Sequence, residues 1–297
     1  MSDRGCAPFI KWAGGKKQLL AELIEHIPEG FGKTITKYAE PFVGGGAFLF
    51  SILKTYNLEN VYISDINSSL IVTYKAIRDN VDGLIEHLAR LQNDYKSQNQ
   101  EARKLFYYGK RERYNQLVKT QNNGLELASL FIFLNRTCFN GLYRVNAKNE
   151  FNVPMGNYRN PIICDEQLLR EDSEALKGIN IVCLNYKESS SFIDERTLVY
   201  FDPPYRPLNV TASFTSYTTD GFTDKDQIKL ANYAKELSNR GAKILLSNSD
   251  PKNVSSEDNF FDDLYSDFKI ERIFAKRNIS SKVEGRKKIT ELLICNY

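Results

Sequence analysis

The sequence predicts an α/β fold: one doubly wound, mostly parallel sheet with helices on both faces, interrupted by a long insert. Three observations carry this. Two apolar runs stop abruptly at an acid, Val61-Tyr62-Ile63-Ser64-Asp65 and Leu198-Val199-Tyr200-Phe201-Asp202, as buried strands do at a sheet edge. A glycine triplet, Gly44-Gly45-Gly46, separates a strand pattern from a helical one. Helical and strand patterns alternate on both sides of residues 71–159, which implies a single sheet with an insertion.

The second acidic strand end continues as Asp202-Pro203-Pro204-Tyr205. Proline cannot continue a central strand and pushes the residue before it toward extended geometry. The Asp202 carboxylate is therefore expected on a stiff turn, with an aromatic ring beside it, at the edge where open α/β sheets place their chemistry. Taken alone, the same pattern also fits an ordinary strand exit with a surface acid.

At 297 residues the chain holds one large domain, or a domain plus an insertion. The hydrophobic fraction of 42% and the charged fraction of 26% are those of a soluble globular protein. No apolar run approaches a membrane helix, and the amino terminus carries no signal-peptide pattern. Five cysteines, Cys6, Cys138, Cys164, Cys183 and Cys295, are scattered without a CxxC pair. That usage suits a reducing, cytoplasmic setting and argues against a disulfide framework or a zinc site. With only His26 and His87, a catalytic triad or a histidine-rich metal centre is not expected, and no metal is called for. Residues 70–160 hold 14 Lys/Arg against 8 Asp/Glu, whereas the whole chain carries only +3. A basic middle in a mildly acidic remainder suggests a polyanionic partner; a solvated face of mixed charge is the alternative.

In chain order, Pro8 to Lys17 contains Trp12-Ala13-Gly14-Gly15-Lys16 ahead of the helical stripe Leu19, Leu20, Leu23, Ile24, Ile27. The segment resembles an anion-accepting turn but lacks Walker spacing. Glu40-Pro41-Phe42-Val43-Gly44-Gly45-Gly46 leads into a helix, and Asp65 follows about 20 residues later. That is the nucleotide-binding βαβ arrangement, in which the acid accepts from ribose hydroxyls. A serine-rich turn can cap the helix beginning near Leu70. Arg103 to Lys119 is basic with interleaved Tyr107, Tyr108 and Tyr114; it fits a phosphate-gripping surface or a helical hairpin with aromatics turned inward. Glu126 to Leu134 reads as a core helix. Asn140-Gly141 breaks it, and Leu142 to Val145 with Phe151 to Val153 reads as a β-hairpin. A basic, asparagine-rich hairpin with exposed aromatics can enter a DNA groove. Ile179 to Leu184 and Lys243 to Asn248 read as strands, Gln227 to Leu237 as a helix, Ile270 to Phe274 and Glu291 to Cys295 as a closing antiparallel pair, and Arg277 to Lys288 as a loop.

On four motifs, with the recognition segment lying between the glycine loop and the catalytic motif, the chain resembles the Dam-type DNA adenine-N6 methyltransferases, in their α group, over nearly its whole length. Phe9-Ile10-Lys11-Trp12-Ala13-Gly14-Gly15-Lys16 is similar to the amino-terminal cofactor motif, and Glu40 to Gly46 to the F-x-G-x-G loop. Asp202 to Tyr205 is similar to the catalytic motif. Phe139-Asn140-Gly141-Leu142-Tyr143-Arg144 with Phe151-Asn152-Val153-Pro154 is similar to the target-recognition segment. The resemblance implies a seven-stranded Rossmann-like methyltransferase sheet. Residues 1–70 and 160–297 would form the S-adenosylmethionine-binding catalytic domain, and 71–159 the target-recognition domain.

The resemblance also implies roles. Asp202 and the Pro203 carbonyl would accept the two amino hydrogens of a flipped adenine, with Pro204 and Tyr205 completing the turn and Tyr205 stacking on the base. Trp12, Ala13, Gly14, Lys16, Glu40, Pro41, Phe42, Gly44, Gly46, Asp65, Ile66, Asn185 and Tyr186 would surround the cofactor together with Asp202. Phe139 would wedge into the stack and Asn140 occupy the vacated place. Arg144 would read a guanine edge, Leu142 and Pro154 would add apolar base contacts, and Lys11 would reach the target from the other side. Arg136, Asn146 and Asn152 would neighbour phosphates or bases. GATC in double-stranded DNA is the implied site, and nothing demands more than a monomer. Phe139 stands where many relatives carry Tyr, and Asn157 where some carry a basic residue. Cytosine-N4 or RNA methylation, nicotinamide-dependent oxidoreduction and a non-catalytic DNA-binding protein that kept the fold are the alternatives; an oxidoreductase leaves Asp202 to Tyr205 and the basic insert unexplained, and measurable turnover would remove the non-catalytic option.

Overall fold

The computed structural model describes residues 5–12, 14, 16–206, 222–275 and 289–297. In chain order these form α1 (Leu20–Glu25), β1 (Lys37–Glu40), α2 (Ala47–Thr55), β2 (Asn60–Ser64), α3 (Ser68–Asp79), α4 (Val81–Lys96), α5 (Gln100–Lys119), α6 (Leu125–Thr137), α7 (Glu166–Ala175), β3 (Asn180–Val182), β4 (Thr197–Phe201), α8 (Asp224–Asn239), β5 (Lys243–Ser249), α9 (Phe260–Leu264), β6 (Lys269–Ala275) and β7 (Ile289–Cys295). The strands make one seven-stranded sheet of order β3-β2-β1-β4-β5-β7-β6. β1 runs parallel to β2 and β4, and β4 parallel to β5. β7 lies antiparallel between β5 and β6, as the closing pair in the sequence predicts. The expected mostly parallel α/β sheet is thus present.

The strand order reverses between β1 and β4, which is the topological switch point of a doubly wound sheet. Glu40 closes β1 and Asp202 follows β4 directly. All five residues of β4 are buried, so this strand reads as a continuous apolar run, as central parallel strands do.

By compactness the chain divides into two units. One comprises Met1–Gly15, Val43–Thr55 and Ser64–Leu184; the other comprises Lys16–Phe42, Tyr56–Ile63 and Asn185–Tyr297. In the first, α6 is the core helix: ten of its thirteen residues are buried. Around it pack Tyr95 of α4 and Tyr107 and Tyr114 of α5, all at most 1% exposed. Of the two readings of the basic, tyrosine-bearing stretch, Tyr107 and Tyr114 follow the inward one, and the Tyr107 hydroxyl donates to the Val153 carbonyl at 2.9 Å. Asparagines cap three helices here: Asn67 accepts from Leu70 N, Asn80 from Gly83 N and Asn99 from Ala102 N. The expected cap of α3 therefore falls on Asn67 rather than on a serine.

The hairpin over 142–153 is smaller than the sequence suggests. Only Val145 and Phe151 form a bridge, closed by backbone bonds from Asn146 N to the Glu150 carbonyl and from Asn152 N to the Arg144 carbonyl, and side chains hold the backbone around it. Asn146 Oδ1 accepts from Lys148 N and Glu150 N, and Asn115 both donates to and accepts from the Phe151 backbone. The strand expected over 179–184 is likewise confined to Asn180–Val182. In the second unit, α8 begins with a capping box between Thr223 and Asp226. The loop expected at Arg277 to Lys288, and Ala13, lie outside the described residues.

Candidate active site and reading turn

The Asp202 turn is held from several directions within its unit. Lys16 Nζ lies 2.7 Å from Asp202 Oδ1, and Ser247 Oγ donates to the same oxygen at 3.1 Å. Ser247 has one proton and gives it to Asp202, so the Tyr200 hydroxyl, 2.9 Å away, donates to Ser247. Tyr200 and Ser247 come from β4 and β5, whose parallel register brings their carboxyl ends, and Asp202 just past β4, together. The Asp202 side chain is 22% exposed and that of Lys16 only 6%. Burial pushes the Asp202 carboxyl above the ordinary carboxylate range, against the pull of the Lys16 ammonium and the Ser247 hydroxyl.

The far side of the turn is equally fixed. Gln227 of α8, fully buried, donates to the Pro204 carbonyl at 3.1 Å and accepts from Asn248 at 3.2 Å. Pro203 is buried and Pro204 half-buried. Tyr205 lies under the Lys16 ammonium, 4.2 Å from its ring centroid, and donates its hydroxyl to Glu291 Oε2 at 2.5 Å. Burial, with the Asp202 and Glu291 charges nearby, raises the Tyr205 pKa and keeps this hydroxyl protonated. Arg206 then anchors the chain, with a bidentate pair to Asp224, a bond to Asp258 and a cation–π contact to Phe260. At the neighbouring strand end, Glu40 is 2% exposed and accepts from the Tyr38 hydroxyl at 2.7 Å. Pro41 is buried. Phe42 stacks on Tyr186 with centroids 5.3 Å apart, and Asn185 accepts from Lys187 N in the short helical turn that follows.

The glycine loop belongs to the other unit. Asp65 Oδ2 accepts from Gly44 N at 3.2 Å and its Oδ1 from Asn67 N at 2.9 Å, so the acid shapes the loop that precedes it. Burial raises the Asp65 carboxyl, and these backbone N–H groups oppose the rise. Gly44 and Gly46 have φ of +47° and +69°. A Cβ at Gly44 would meet the Trp12 ring at 2.7 Å, and one at Gly46 the Tyr74 hydroxyl at 2.4 Å. Only glycine allows this packing. Trp12 stacks on Tyr143, centroids 5.6 Å apart. Ile66, next to Asp65, is apolar yet 58% exposed. Gly14 is exposed with φ +76°.

In the same unit, Asn140 and Gly141 take consecutive positive φ of +56° and +65°, and Leu142 N donates back to the Phe139 carbonyl. This is the turn that Asn-Gly predicts. It leaves Phe139 51% exposed, with Asn140 exposed beside it. Arg144 is exposed and its Nε donates to Asn152 Oδ1 at 2.8 Å. Leu142 is half-buried, the Pro154 ring is exposed, and Asn146 braces the 146–150 turn. Arg136 is turned inward: it donates to the Phe9 carbonyl at 2.7 Å, and burial lowers its pKa. Three partners escaped the sequence reading: Ser247 and Glu291 at the Asp202 turn, and Asn135, which accepts from Lys11 N and donates to the Gly141 carbonyl. Glu291 left one signal, a lone acid in the apolar strand Ile289 to Cys295.

Among the described residues no group of His, Cys, Asp and Glu is placed to hold a metal ion, and no helix is long and apolar enough to cross a membrane. The sheet and its strand-end acid are those of an α/β methyltransferase. Residues 12–279 match the family model of the D12 class N6 adenine-specific DNA methyltransferases. The chain is 49% identical over 292 residues to the type II methyltransferase M.MjaIII of Methanocaldococcus jannaschii, covering 98% of this chain and 99% of that one. It is 35% identical over 294 residues to the DNA adenine methylase of Escherichia coli K12 (96% and 93%) and 34% over 286 residues to that of Serratia marcescens (96% of each). The chain belongs to the D12 class of N6 adenine-specific DNA methyltransferases. It is an enzyme whose substrate is DNA.

Proposed function

We propose that this enzyme uses S-adenosylmethionine to methylate the N6 amino group of an adenine flipped out of double-stranded DNA, at GATC. When bound, S-adenosylmethionine supplies a methyl group already activated on a sulfonium. The residues suit such a ligand: a glycine loop without Cβ atoms, a carboxylate at Asp65 for ribose hydroxyls, and the exposed apolar side chain of Ile66. Trp12, Ala13, Gly14, Lys16, Glu40, Pro41, Phe42, Gly44, Gly46, Asn185 and Tyr186 would complete its surroundings, and no metal is needed.

The observation that carries the chemistry is the Asp202 carboxylate on its stiffened turn. Lys16 and Ser247 both engage Oδ1, which reserves Oδ2 for the adenine amino group. With the Pro203 carbonyl taking the second amino hydrogen, the nitrogen is drawn toward a tetrahedral shape with its lone pair directed outward. Methyl transfer leaves one surplus proton on that nitrogen, and it would pass to the Asp202 carboxylate that already accepts it, a carboxyl raised by burial. Tyr205 stacks on the base. Residues 1–70 and 160–297 serve catalysis and 71–159 target recognition. Phe139 and Asn140 invade the stack, while Lys11, Leu142, Arg144 and Pro154 read bases. Asn146 and Asn152 support that segment, Arg136 does so from within, and a monomer suffices.

The test is to methylate a plasmid with the purified enzyme and S-adenosylmethionine, then map the product. N6-methyladenine at GATC is expected; N4-methylcytosine, or another site, overturns the corresponding part. Asp202→Asn is the better mechanistic variant than Asp202→Ala, because the amide oxygen can still accept from the Lys16 ammonium and the Ser247 hydroxyl. It should lower transfer by about 100-fold or more while S-adenosylmethionine still binds. Full activity in that variant refutes the role of Asp202.

A further inference from the structure

Asn135, near the end of α6, is 3% exposed and uses its whole side-chain amide on two other segments. Its Oδ1 accepts from Lys11 N at 2.8 Å, and its Nδ2 donates to the Lys11 carbonyl at 2.8 Å and to the Gly141 carbonyl at 3.0 Å. One amide thus pairs with Lys11 as a neighbouring strand would and, by its second hydrogen, ties in the Asn140–Gly141 turn. A carboxylate could not donate to either carbonyl, and a shorter hydroxyl has only one proton.

The Lys11 side chain is placed by the same join. A Cβ on Gly141 would lie 2.5 Å from Lys11 Cδ and 2.8 Å from Lys11 Cβ, so the lysine stem runs directly over the glycine backbone. Its Nζ reaches the Tyr158 hydroxyl at 3.3 Å and lies 4.7 Å from the centre of that ring. Lys11 is exposed, and among the described residues no carboxylate pairs with it. Holding a flexible lysine stem in one course lowers the entropy lost when its ammonium binds.

We infer that Asn135 is the positioning residue that locks Lys11 and the Phe139–Arg144 turn into one reading unit, so that specificity at the base pair met by Lys11 depends on a buried side chain that touches no DNA. This rests on the reading of Lys11 as a DNA contact. A double-mutant cycle separates the two. Lys11→Ala, Asn135→Asp and the double variant are compared in single-turnover methylation of the mapped target duplex and of every single-base-pair variant of it. Lys11→Ala should lower discrimination at one base pair by roughly 5- to 150-fold, the range of a good base contact. Asn135→Asp should lower it at that same pair, and the double variant should be no worse than Lys11→Ala.

If Lys11→Ala leaves discrimination intact, the DNA reading falls and the inference with it. If Lys11→Ala acts but Asn135→Asp does not, or slows all duplexes alike, or adds fully to Lys11→Ala, the role of Asn135 alone is overturned. Should Asn135→Asp not fold, Gly141→Ala gives the same readout: it keeps the amide but displaces the lysine stem. Loss at the same base pair supports the inference, and uniform loss overturns it. S-adenosylmethionine binding should be unchanged throughout.

Discussion

Glu291 offers a graded test of how firmly the Tyr205 ring must be held. Its carboxylate, on β7, takes the Tyr205 hydroxyl at 2.5 Å, while the Lys16 ammonium lies 4.2 Å from the centre of the same ring. Hydrogen bonds to a charged group contribute about 1.5–3 kcal/mol, neutral ones about 0.5–1.5 kcal/mol. Glu291 is half-buried, so the lower part of the charged range applies, about 1.5–2 kcal/mol. If that energy keeps the ring in its stacking orientation, Glu291→Ala should slow methyl transfer about 10- to 30-fold. Glu291→Gln keeps a neutral acceptor, loses about 1 kcal/mol, and should slow transfer about fivefold. The assay is rapid-quench single-turnover methylation at saturating methyl donor, with donor binding measured separately and expected unchanged. Wild-type rates in Glu291→Ala, or a larger loss in Glu291→Gln than in Glu291→Ala, would refute the role.

Three further outcomes follow from the structure. Asp172 of α7 is fully buried, accepts from Ala7 N through Oδ1, leaves Oδ2 without a partner, and has its pKa pushed up to about 8 by burial. The native carboxyl therefore keeps a proton that the unfolded chain releases near pH 4, so stability is full below that pH and falls as pH rises toward 8. Asp172→Asn should melt higher than the parent at pH 8 and lose the slope; a lower melting temperature at pH 8 contradicts this. Gly46→Ala should cost about 2–3 kcal/mol in urea unfolding, from left-handed strain and displacement of the Tyr74 hydroxyl, which donates to Gly44 O. An unchanged midpoint would mean that the loop relaxes freely. Arg144→Ala should relax discrimination at one base pair by about 1–3 kcal/mol, whereas equal weakening on all duplexes would make Arg144 a phosphate contact.

The central sheet and the two acidic strand ends were legible because each is written locally. An apolar run stopping at Asp65 or at Asp202-Pro203-Pro204 needs no distant partner to be read. The Asn140–Gly141 turn was legible for the same reason, since only certain residues accept consecutive positive φ. The hairpin is smaller than its pattern implies because the Asn146 side chain takes the Glu150 N–H that a longer ladder would use, and nothing in a strand pattern announces a rival acceptor. Ser247, Glu291 and Asn135 were missed because their roles depend on register: Glu291 meets Tyr205 across 86 residues and Asn135 meets Lys11 across 124. Arg136, which the resemblance sets beside phosphates or bases, donates from the core helix to the Phe9 carbonyl, a bond that charge and spacing do not announce.

The switch point also sets an order of events in synthesis. β1 pairs with β4 in the register Lys37↔Thr197, so the two strands that carry Glu40 and Asp202 are separated by roughly 160 residues of chain. At a typical elongation rate, about 8–30 s pass between the emergence of the first strand and that of the second. During that interval one edge of β1 has no neighbour, and open edges invite pairing with other chains. A fragment ending before residue 197 should therefore be prone to aggregation whatever the quality of its helices. Two-piece versions of the enzyme are better cut so that β1 and β4 can meet promptly, with the amino-terminal piece kept dilute or chaperone-bound until its partner arrives.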